Sequence, residues 1–295
     1  MATVRPARRG LISVRSCLER PRPAGARTYA SCTLGRAQKD LDCLPPVGYV
    51  YLGNVAYDKA TRLQTELVSR RIEQVRGGGA GISRLIDVLL LLEHPPVYTN
   101  GRRNKGKLSD EEIWRVRAAG ADYVETNRGG EITFHGPGQL VGYPIMHIKA
   151  HHLAARCYVE GLENTIIDVC RKLGLPAFRT PEFPGVWTSP DRKVAAIGSH
   201  IRRYITSHGF GLNCTTDLAW FTHIVPCGLE GKYATSLQTE LERHNNHKGA
   251  DFSSVGVEAV VPLLVESFGS VFNVKMEPLA TLSPATLEFI QDRLQ

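Results

Sequence analysis

Residues 128–145 read RGGEITFHGPGQLVGYPI. Glycines and prolines interrupt a run that otherwise alternates like a β-strand, although glycine weakens a strand and proline removes a donor from its ladder. Glycine has no Cβ, so its backbone reaches positive φ values and can approach a ligand closely. The stretch therefore predicts a concave, backbone-lined surface flanked by Arg128 and His135. A strand pair joined by a tight Gly-Pro-Gly turn, without a binding role, is the alternative.

Sequence patterns that are missing argue against several function classes. Neither the phosphate-loop pattern GxxxxGK[ST] nor the dinucleotide pattern GxGxxG occurs in the stretch. The chain also lacks the GxSxG elbow of serine hydrolases. No run approaches eighteen uninterrupted apolar residues, which argues against a membrane span.

The net charge of +7 is concentrated at the N-terminus. Residues 1–39 carry eight Arg and one Lys against the single acid Glu19, a balance of +8 that leaves −1 for the rest of the chain. A globular part so close to neutral has no basic surface for nucleic acid. We therefore expect no nucleic-acid partner.

Residues 1–39 have the composition of a mitochondrial transit peptide, rich in Arg and almost free of acids. Arg5, Arg8, Arg9 and Arg15 alternate with Leu11, Ile12 and Val14 as in a short basic amphipathic helix. We expect a disordered leader cleaved between residues 27 and 40, and a mitochondrial matrix location. An N-terminal tail without a targeting role is the alternative.

Hydrophobic periodicity predicts one α+β or mixed α/β domain over residues 44–280, with a helical extension at 281–295. Seven Cys without regular spacing do not suggest a disulfide framework, and Cys157 and Cys170 are expected in a helix core. Helical patterns cover 55–75, 109–119, 154–173, 255–268 and 283–294. Strand patterns cover 85–92, 122–127, 131–134, 140–148, 193–197 and 200–213.

A second cluster of chemically capable residues occupies 191–229. Cys227 lies between Pro226 and Gly228, in a loop where a thiol can be exposed and reactive. Lys193 begins an apolar strand, and an ammonium in a cleft lowers the pKa of a neighbouring thiol. Taken alone, each residue also fits an unremarkable loop cysteine or a lysine that reaches solvent.

The same cluster allows two other readings. His208, Cys214, His223 and Cys227 could form a metal set, but their spacing matches no structural zinc pattern, and we expect no metal. Cys227 with His208 or His223 could instead form a hydrolase pair, because such partners meet in space and not in sequence.

Four motifs in order resemble the lipoyl(octanoyl) transferase family over about residues 48–275: LEHPPVYTNGR (92–102), RGGEITFHGPGQLVGYPI (128–145), KVAAIGSHIRRYITSHGFGLN (193–213) and HIVPCGL (223–229). The resemblance implies the fold of biotin and lipoate protein ligases, a mixed sheet packed by helices. It also implies octanoyl transfer from octanoyl-acyl carrier protein to a lysine of a lipoyl domain, in 2-oxoacid dehydrogenase E2 subunits and glycine cleavage H protein. We expect no cofactor.

The resemblance also assigns residues. Cys227 of the PCGL motif is the nucleophile that carries the acyl group as a thioester, and Lys193 lowers its pKa and shuttles the proton. The acyl site is expected to be lined by three segments: Arg128, Gly129, Gly130, Glu131, Ile132, Thr133, Phe134 and His135; Ala196, Ile197 and Gly198; and Gly209, Phe210 and Gly211. The leader, the RGGGAG run (76–81), residues 244–254 and the final helix lie outside the family core.

Two alternatives share this fold. One is an ATP-dependent ligase that joins free lipoate or octanoate to protein, although no phosphate-cradling loop is evident. The other is a non-catalytic module that binds lipoyl domains, which the presence of both Cys227 and Lys193 disfavours.

Overall fold

The computed structural model describes residues 44–77, 86–180, 183–224, 231–245 and 255–295. Within them the chain forms eleven strands: β1 (Val47–Asn54), β2 (Asp87–Glu93), β3 (Val97–Asn100), β4 (Asp122–Glu125), β5 (Thr133–His135), β6 (Gln139–Ile145), β7 (Val186–Ser189), β8 (Arg192–Arg202), β9 (Ile205–Asn213), β10 (Tyr233–Ala234) and β11 (Met276–Pro278). The helices are α1 (Tyr57–Val75), α2 (Asp110–Ala118), α3 (Ala155–Lys172), α4 (Leu237–Asn245), α5 (Val257–Phe272), α6 (Leu279–Leu282) and α7 (Pro284–Leu294). A 3₁₀ helix spans Leu218–His223.

The strands form one large and one small sheet. The large sheet has the order β10-β8-β9-β6-β2-β1-β11, and β7 also pairs with β8. It is mixed, because β1 is parallel to β2 and β11 whereas β6 is antiparallel to β2 and β9. The small sheet has the order β4-β3-β5. The predicted mixed sheet packed by helices is confirmed.

Strand β2 (DVLLLLE) is apolar throughout because both of its faces are covered. Leu89 and Leu91 point into a core formed with α3 and α5. Leu90 and Leu92 point the other way, into a core formed with α1 and α7. The continuous apolar run in the sequence thus marks the centre of a sheet covered by helices on both sides.

Helix α7, in the predicted extension, packs against α1 in the second of these cores. Its Ile290 is fully buried there with Leu63. Arg293 Nε lies 2.8 Å from Glu66 Oε2 at the rim. Lys59 Nζ also donates to the carbonyl of Leu294 at 2.9 Å. Residues 281–295 therefore share a core with the preceding domain.

Local sequence features explain several helix ends. Ser109 and Glu112 form a reciprocal capping box at the start of α2. Gly174 follows α3 with φ +75, as expected of a glycine after a helix end. Pro284 occupies the first turn of α7, but the Ser283 hydroxyl contacts the Thr286 hydroxyl instead of capping the backbone.

The predicted strands at 193–197 and 200–213 have the wrong boundary. Strand β8 continues to Arg202, and the chain turns at Arg203 and Tyr204, with φ +51 and +67. Two consecutive positive φ values define a tight hairpin turn that usually contains Asn or Gly, so this sequence gives little signal for it.

The Gly-Pro-Gly turn does not join a strand pair. Strand β5 pairs with β3 in the small sheet, whereas β6 pairs with β2 and β9 in the large one. The chain therefore passes between sheets at residues 136–138. Gly138 has φ +78 and a Cβ there would lie 2.7 Å from Thr215 Oγ1, so the corner requires glycine.

Other expectations have mixed outcomes. Cys170 is buried in the core as predicted, but Cys157 is only half-buried.

None of the helices in the described ranges combines the length and apolar character needed to cross a membrane. Residues 1–43, most of the RGGGAG run and 246–254 lie outside the described residues, so the leader and both loops stay predictions.

A buried ion cluster fixes the start of β2. Asp87 Oδ1 lies 2.8 Å from Arg71 Nη2 of α1, and Asp87 Oδ2 lies 2.6 Å from His151 Nε2. The backbone N–H of His147 also donates to Asp87. Burial opposes the charge of Asp87, but the bonds from His151 and Arg71 hold its pKa below the usual value.

We expect Asp87→Asn to destabilise the fold by about 3–5 kcal/mol, because it leaves the largely covered Arg71 guanidinium without its carboxylate. The free energy of unfolding in urea measures this loss. The control is Asp58→Asn, which removes an exposed helical pair with Arg62 and should cost about 0.5 kcal/mol or less. Equal losses in the two variants would contradict the importance of the cluster.

Candidate active site

The centre of the site is a patch of the large sheet almost without side chains. The register of β8 and β9 places Ala196 opposite Gly211 and Gly198 opposite Gly209. Side chains on one face of a strand alternate with period two, so these four residues share one face. The motif residues of the two segments thereby form a single patch.

These glycines allow segment 128–139 to lie directly on the sheet. A Cβ at Gly211 would lie 2.8 Å from Gln139 Oε1 and 3.3 Å from His135 Nδ1. A Cβ at Gly198 would lie 3.0 Å from Gly129 O. The backbone N–H of Gly129 also donates to Ser199 O at 3.0 Å. Backbone therefore approaches closely here, but its close neighbour is protein, and the approach to a ligand stays a prediction.

Arg128 holds this segment in place. Its buried guanidinium donates to Thr99 Oγ1 at 2.9 Å, to the Thr99 carbonyl and to Gly129 O at 2.9 Å. It therefore ties the glycine turn to β3 of the small sheet. Arg128 also lines a cavity over the glycine patch. It therefore both holds the segment in place and belongs to the site.

Two adjoining cavities of about 460 and 490 Å³ lie over the patch. They share Thr133, Lys193, Ala196 and Gly211. The first extends towards aromatic and basic residues, namely Trp187, Phe221, Lys232 and Tyr233. The second extends inwards and is lined by most of the predicted acyl-site residues: Arg128, Gly130, Glu131, Thr133, His135, Ala196, Ile197, Gly198, Gly209, Phe210 and Gly211.

Among the described residues of the predicted set, Gly129, Ile132 and Phe134 do not line these cavities. Ile132 and Phe134 point into a separate small core with Tyr98. Alternation along the segment explains this division, because Thr133 and His135 face the cavity while their neighbours face away. The prediction that Ile132 and Phe134 line the acyl site is therefore not supported by their position.

Lys193 lies where the two cavities meet, at the start of β8. Its carbonyl accepts a hydrogen bond from the Thr235 N–H at 2.9 Å, and it pairs with Ala234 of β10. Cys227 lies outside the described residues, so its distance from Lys193 stays a prediction. Phe221 and Lys232, which precede and follow it in the sequence, line the cavity beside Lys193.

A buried hydrogen-bond network connects His135 to this end of the site. The Gln139 amide donates to Phe134 O and to Asn213 Oδ1, so its Oε1 accepts from His135 Nδ1 at 2.6 Å. The Asn213 amide donates in turn to Thr235 O at 2.9 Å. In neutral His135 the lone pair is therefore on Nε2.

A cluster of neutral rings closes the inner cavity. His94 Nδ1 donates to Val55 O at 2.6 Å, so His94 Nε2 accepts from the Tyr143 hydroxyl at 2.7 Å. Burial lowers the pKa of His94 to about 4, that of His135 to about 3 and that of His208 to about 4. These imidazoles therefore stay uncharged at neutral pH.

The alternative metal and hydrolase sets can now be compared with the geometry. Within the described ranges, no three His, Cys, Asp or Glu side chains are grouped as metal ligands. Cys214 is fully buried, and burial raises the pKa of its thiol to about 12. His208 lines the inner cavity, whereas His223 lies exposed on the 3₁₀ helix. A pairing of either with Cys227 stays untested.

Sequence reasoning missed several residues of this site. Tyr57 of α1 and Trp187 of β7 come from segments outside the quoted motifs, and no local pattern marked them. His94, Gln139, Tyr143 and Asn213 lie inside the motifs but were not singled out. Buried polar side chains among strand residues are the signal that could have identified them.

Comparison with known proteins identifies relatives over most of the chain. Residues 59–269 match the family model described as the lipoyl protein ligase A/B catalytic domain. The mitochondrial octanoyl-[acyl-carrier-protein]:protein N-octanoyltransferase of Danio rerio is 43% identical over 79% of this chain and 96% of its own length. The octanoyltransferase of Mycobacterium tuberculosis is 50% identical over 65% of this chain and 76% of its own length.

Solved structures agree on the fold. A lipoate-protein ligase A crystallised with ATP has a TM-score of 0.53 at 12% identity, covering 80% of this chain and 88% of that chain. LipL1 of P. falciparum, in complex with lipoate, also has a TM-score of 0.53 at 12% identity, covering 83% of this chain and 71% of that chain. At this identity the likeness concerns the fold alone.

The chain therefore belongs to the lipoyl(octanoyl) transferase family, within the lipoyl protein ligase A/B catalytic class. The class is defined by the shared fold and the family model, and the identities of 43% and more place the chain among its octanoyltransferases. It is an acyltransferase.

The buried histidines predict how stability depends on pH. The pKa of His94 is lowered by folding, so the unfolded chain binds more protons and stability falls as pH drops from about 6.5 towards 4. Between pH 7 and pH 5 His94 alone should account for on the order of 2 kcal/mol. His94→Gln should show a correspondingly shallower decline of the unfolding free energy. Parallel curves for the two proteins would contradict this role of burial.

Proposed function

We propose that this acyltransferase moves an octanoyl group from octanoyl-acyl carrier protein to the acceptor lysine of a lipoyl domain, through a thioester on Cys227. The observation that carries the proposal is the position of Lys193. It lies at the junction of two cavities, beside the segments that flank Cys227 in the sequence. One cavity is available to the acyl chain and the other to the groups that deliver and remove it.

The first half-reaction is thioester exchange. The Cys227 thiolate attacks the thioester carbonyl of octanoyl carrier protein, a C–S bond to Cys227 forms, and the bond to the carrier sulfur breaks. The departing carrier thiolate takes a proton from the Lys193 ammonium and leaves as a thiol. An ammonium beside the nucleophile stabilises the attacking thiolate and supplies this proton.

The second half-reaction forms the amide. The neutral amine of the acceptor lysine attacks the Cys227 thioester, and a C–N bond forms as the C–S bond breaks. The proton lost by that amine passes to the Lys193 amine, which restores the thiolate–ammonium pair. A base at the site is required because a protonated lysine has no lone pair with which to attack.

The inner cavity suits a saturated acyl chain. Its wall over the large sheet includes Ala196, Gly198, Gly209 and Gly211, which place little side chain in the path of a ligand. Each methylene contributes only about 0.8 kcal/mol of burial, so affinity alone discriminates weakly between chain lengths. We assign selection of octanoate to the depth of the cavity, which Tyr57, Tyr143 and His208 close.

The names of the relatives support the proposed partners. The Danio rerio relative is named for an octanoyl-acyl carrier protein donor and a protein acceptor. For this chain the acceptors would be the lipoyl domains of 2-oxoacid dehydrogenase E2 subunits and the glycine cleavage H protein. Relatives from Danio rerio and Drosophila melanogaster are named mitochondrial. With the basic composition of residues 1–39, this supports import of the chain into the matrix.

We expect Cys227→Ser to abolish octanoyl transfer, because a serine hydroxyl is far less ionised than a thiol. Intact-mass measurement after mixing with octanoyl carrier protein should show one octanoyl group on the wild type and none on the variant. The control is Cys170→Ala, which removes a core thiol whose pKa burial raises to about 12 and should keep the adduct.

Two outcomes would redirect the proposal. Turnover by Cys227→Ser at the wild-type rate would remove the thioester mechanism. Turnover with free octanoate that depends on ATP would favour the ligase alternative, which shares the fold.

Lys193→Gln should slow acylation of Cys227 by about 100-fold or more, because it removes both the cation and the proton carrier. Single-turnover rates at increasing octanoyl carrier concentrations separate the maximal rate from the half-saturating concentration, which should change much less. The matched control is Lys149→Gln, an exposed lysine near Tyr204, with wild-type rates expected. Equal losses in rate and in half-saturation would contradict the assigned role.

A further inference from the structure

Trp187 of β7 lies against the side chain of Lys193. The Lys193 ammonium is 4.7 Å from the centre of the indole ring, within the range of a cation–π contact. The two residues are register partners on adjacent antiparallel strands, so the backbone itself places one beside the other. Trp187 is only 1% exposed, which removes most competing water from the ring.

The indole is itself firmly held. Trp187 Nε1 donates to Phe183 O at 3.0 Å, and the Trp187 backbone exchanges hydrogen bonds with Phe178 in both directions, at 2.8 and 2.9 Å. The ring therefore has a fixed position against which a flexible lysine can be ordered. A lysine side chain otherwise samples many rotamers.

Gly185 also lies close to the lysine stem. A Cβ at Gly185 would lie 3.3 Å from Lys193 Cδ and 3.4 Å from Lys193 Cε, and only 2.6 Å from Ala195 O. Its φ of +128 also lies in the region that favours glycine. The bare backbone at Gly185 and the indole of Trp187 both lie close to Lys193, and a side chain at position 185 would restrict the space for its stem.

We propose that Trp187, acting through Lys193, is a positioning residue for acyl transfer: its indole face fixes the Lys193 ammonium at the junction of the two cavities, where the thiolate of Cys227 needs a cation. The inference rests on the proposed function, because it assumes that Lys193 serves Cys227. It extends that function by naming the contact that holds the long, flexible Lys193 side chain in position for the reaction.

Among the described residues, the other charged groups near Lys193 have partners of their own. The Lys232 ammonium lies 6.0 Å from the same ring and donates to Pro190 O. Arg192, the neighbour of Lys193, is paired with Glu240 at 2.8 Å and lies 3.8 Å from Asp191. On α3, Glu163 accepts from Gly185 N–H at 2.9 Å and lies 4.0 Å from Arg179. Burial raises the pKa of Glu163, and the charge of Lys193 opposes this shift.

The test measures alkylation of Cys227 by iodoacetamide as a function of pH in Trp187→Leu, Trp187→Phe and wild type, with the alkylated residue assigned by peptide mass. Loss of the indole should move the midpoint of alkylation upwards by about one pH unit and slow single-turnover acylation about tenfold at neutral pH. Trp187→Phe, which keeps a weaker aromatic face, should lie between the other two.

Two controls separate positioning from damage to the fold. Phe268→Leu truncates a fully buried aromatic residue on α5 and should lower the melting temperature without moving the alkylation midpoint. The effect of Trp187→Leu should also disappear in a Lys193→Gln background, since two residues that act through one interaction are not additive.

The outcomes are distinguishable. An unchanged midpoint in folded Trp187→Leu, or a rate loss of the same size with and without Lys193, overturns the positioning role and makes Trp187 a direct contact of substrate or a packing residue. Failure of wild-type Cys227 to accept an octanoyl group would instead overturn the proposed function. The alkylation midpoints do not depend on transfer and would still report on the contact between Trp187 and Lys193.

Discussion

The close approach of segment 128–139 to the face of β8 and β9 is the constraint on which the rest of the site depends. It requires Ala196 and Gly198 to be directly opposite Gly211 and Gly209, because any Cβ at Gly198 or Gly211 would meet the segment. With that approach in place, Arg128 can reach Thr99, and His135 can reach Gln139. The cavities are the space left between the two layers.

Several polar groups around this space hold one another in position. Gln139 has both amide hydrogens bonded, which determines the direction of its oxygen and hence the protonated nitrogen of His135. Asn213 continues the network to Thr235, whose backbone N–H holds the carbonyl of Lys193. The site therefore has a neutral, hydrogen-bonded inner wall and a cation, Lys193, where the two cavities meet. The hydrogen-bond network connects the two and sets the distance between them.

The sequence was informative where residue identity directly encodes conformation. Gly130, Gly138 and Gly174 have positive φ values that few other residues adopt, and Ser109 and Glu112 form the capping box that their spacing indicates. Pairing was less predictable. Alternation in β5 and β6 shows that both are strands but not that they belong to different sheets, and Arg203-Tyr204 lacks the usual residues of a tight turn. Trp187 was missed because its importance depends on a partner that only pairing of β7 with β8 brings near.

The corner at Gly136-Pro137-Gly138 also affects how far the two layers can move apart. The chain passes there from the small sheet to the large one, and hydrogen bonds to other segments hold the corner in place. Gly138 N donates to Glu93 Oε2 at 2.7 Å, and Gly138 O accepts from the N–H groups of Cys214 and Thr215. These hydrogen bonds hold the two layers together at this corner and resist their separation at this edge. A ligand in the space between the layers would have to fit the existing width at this edge, because widening it there would break these hydrogen bonds.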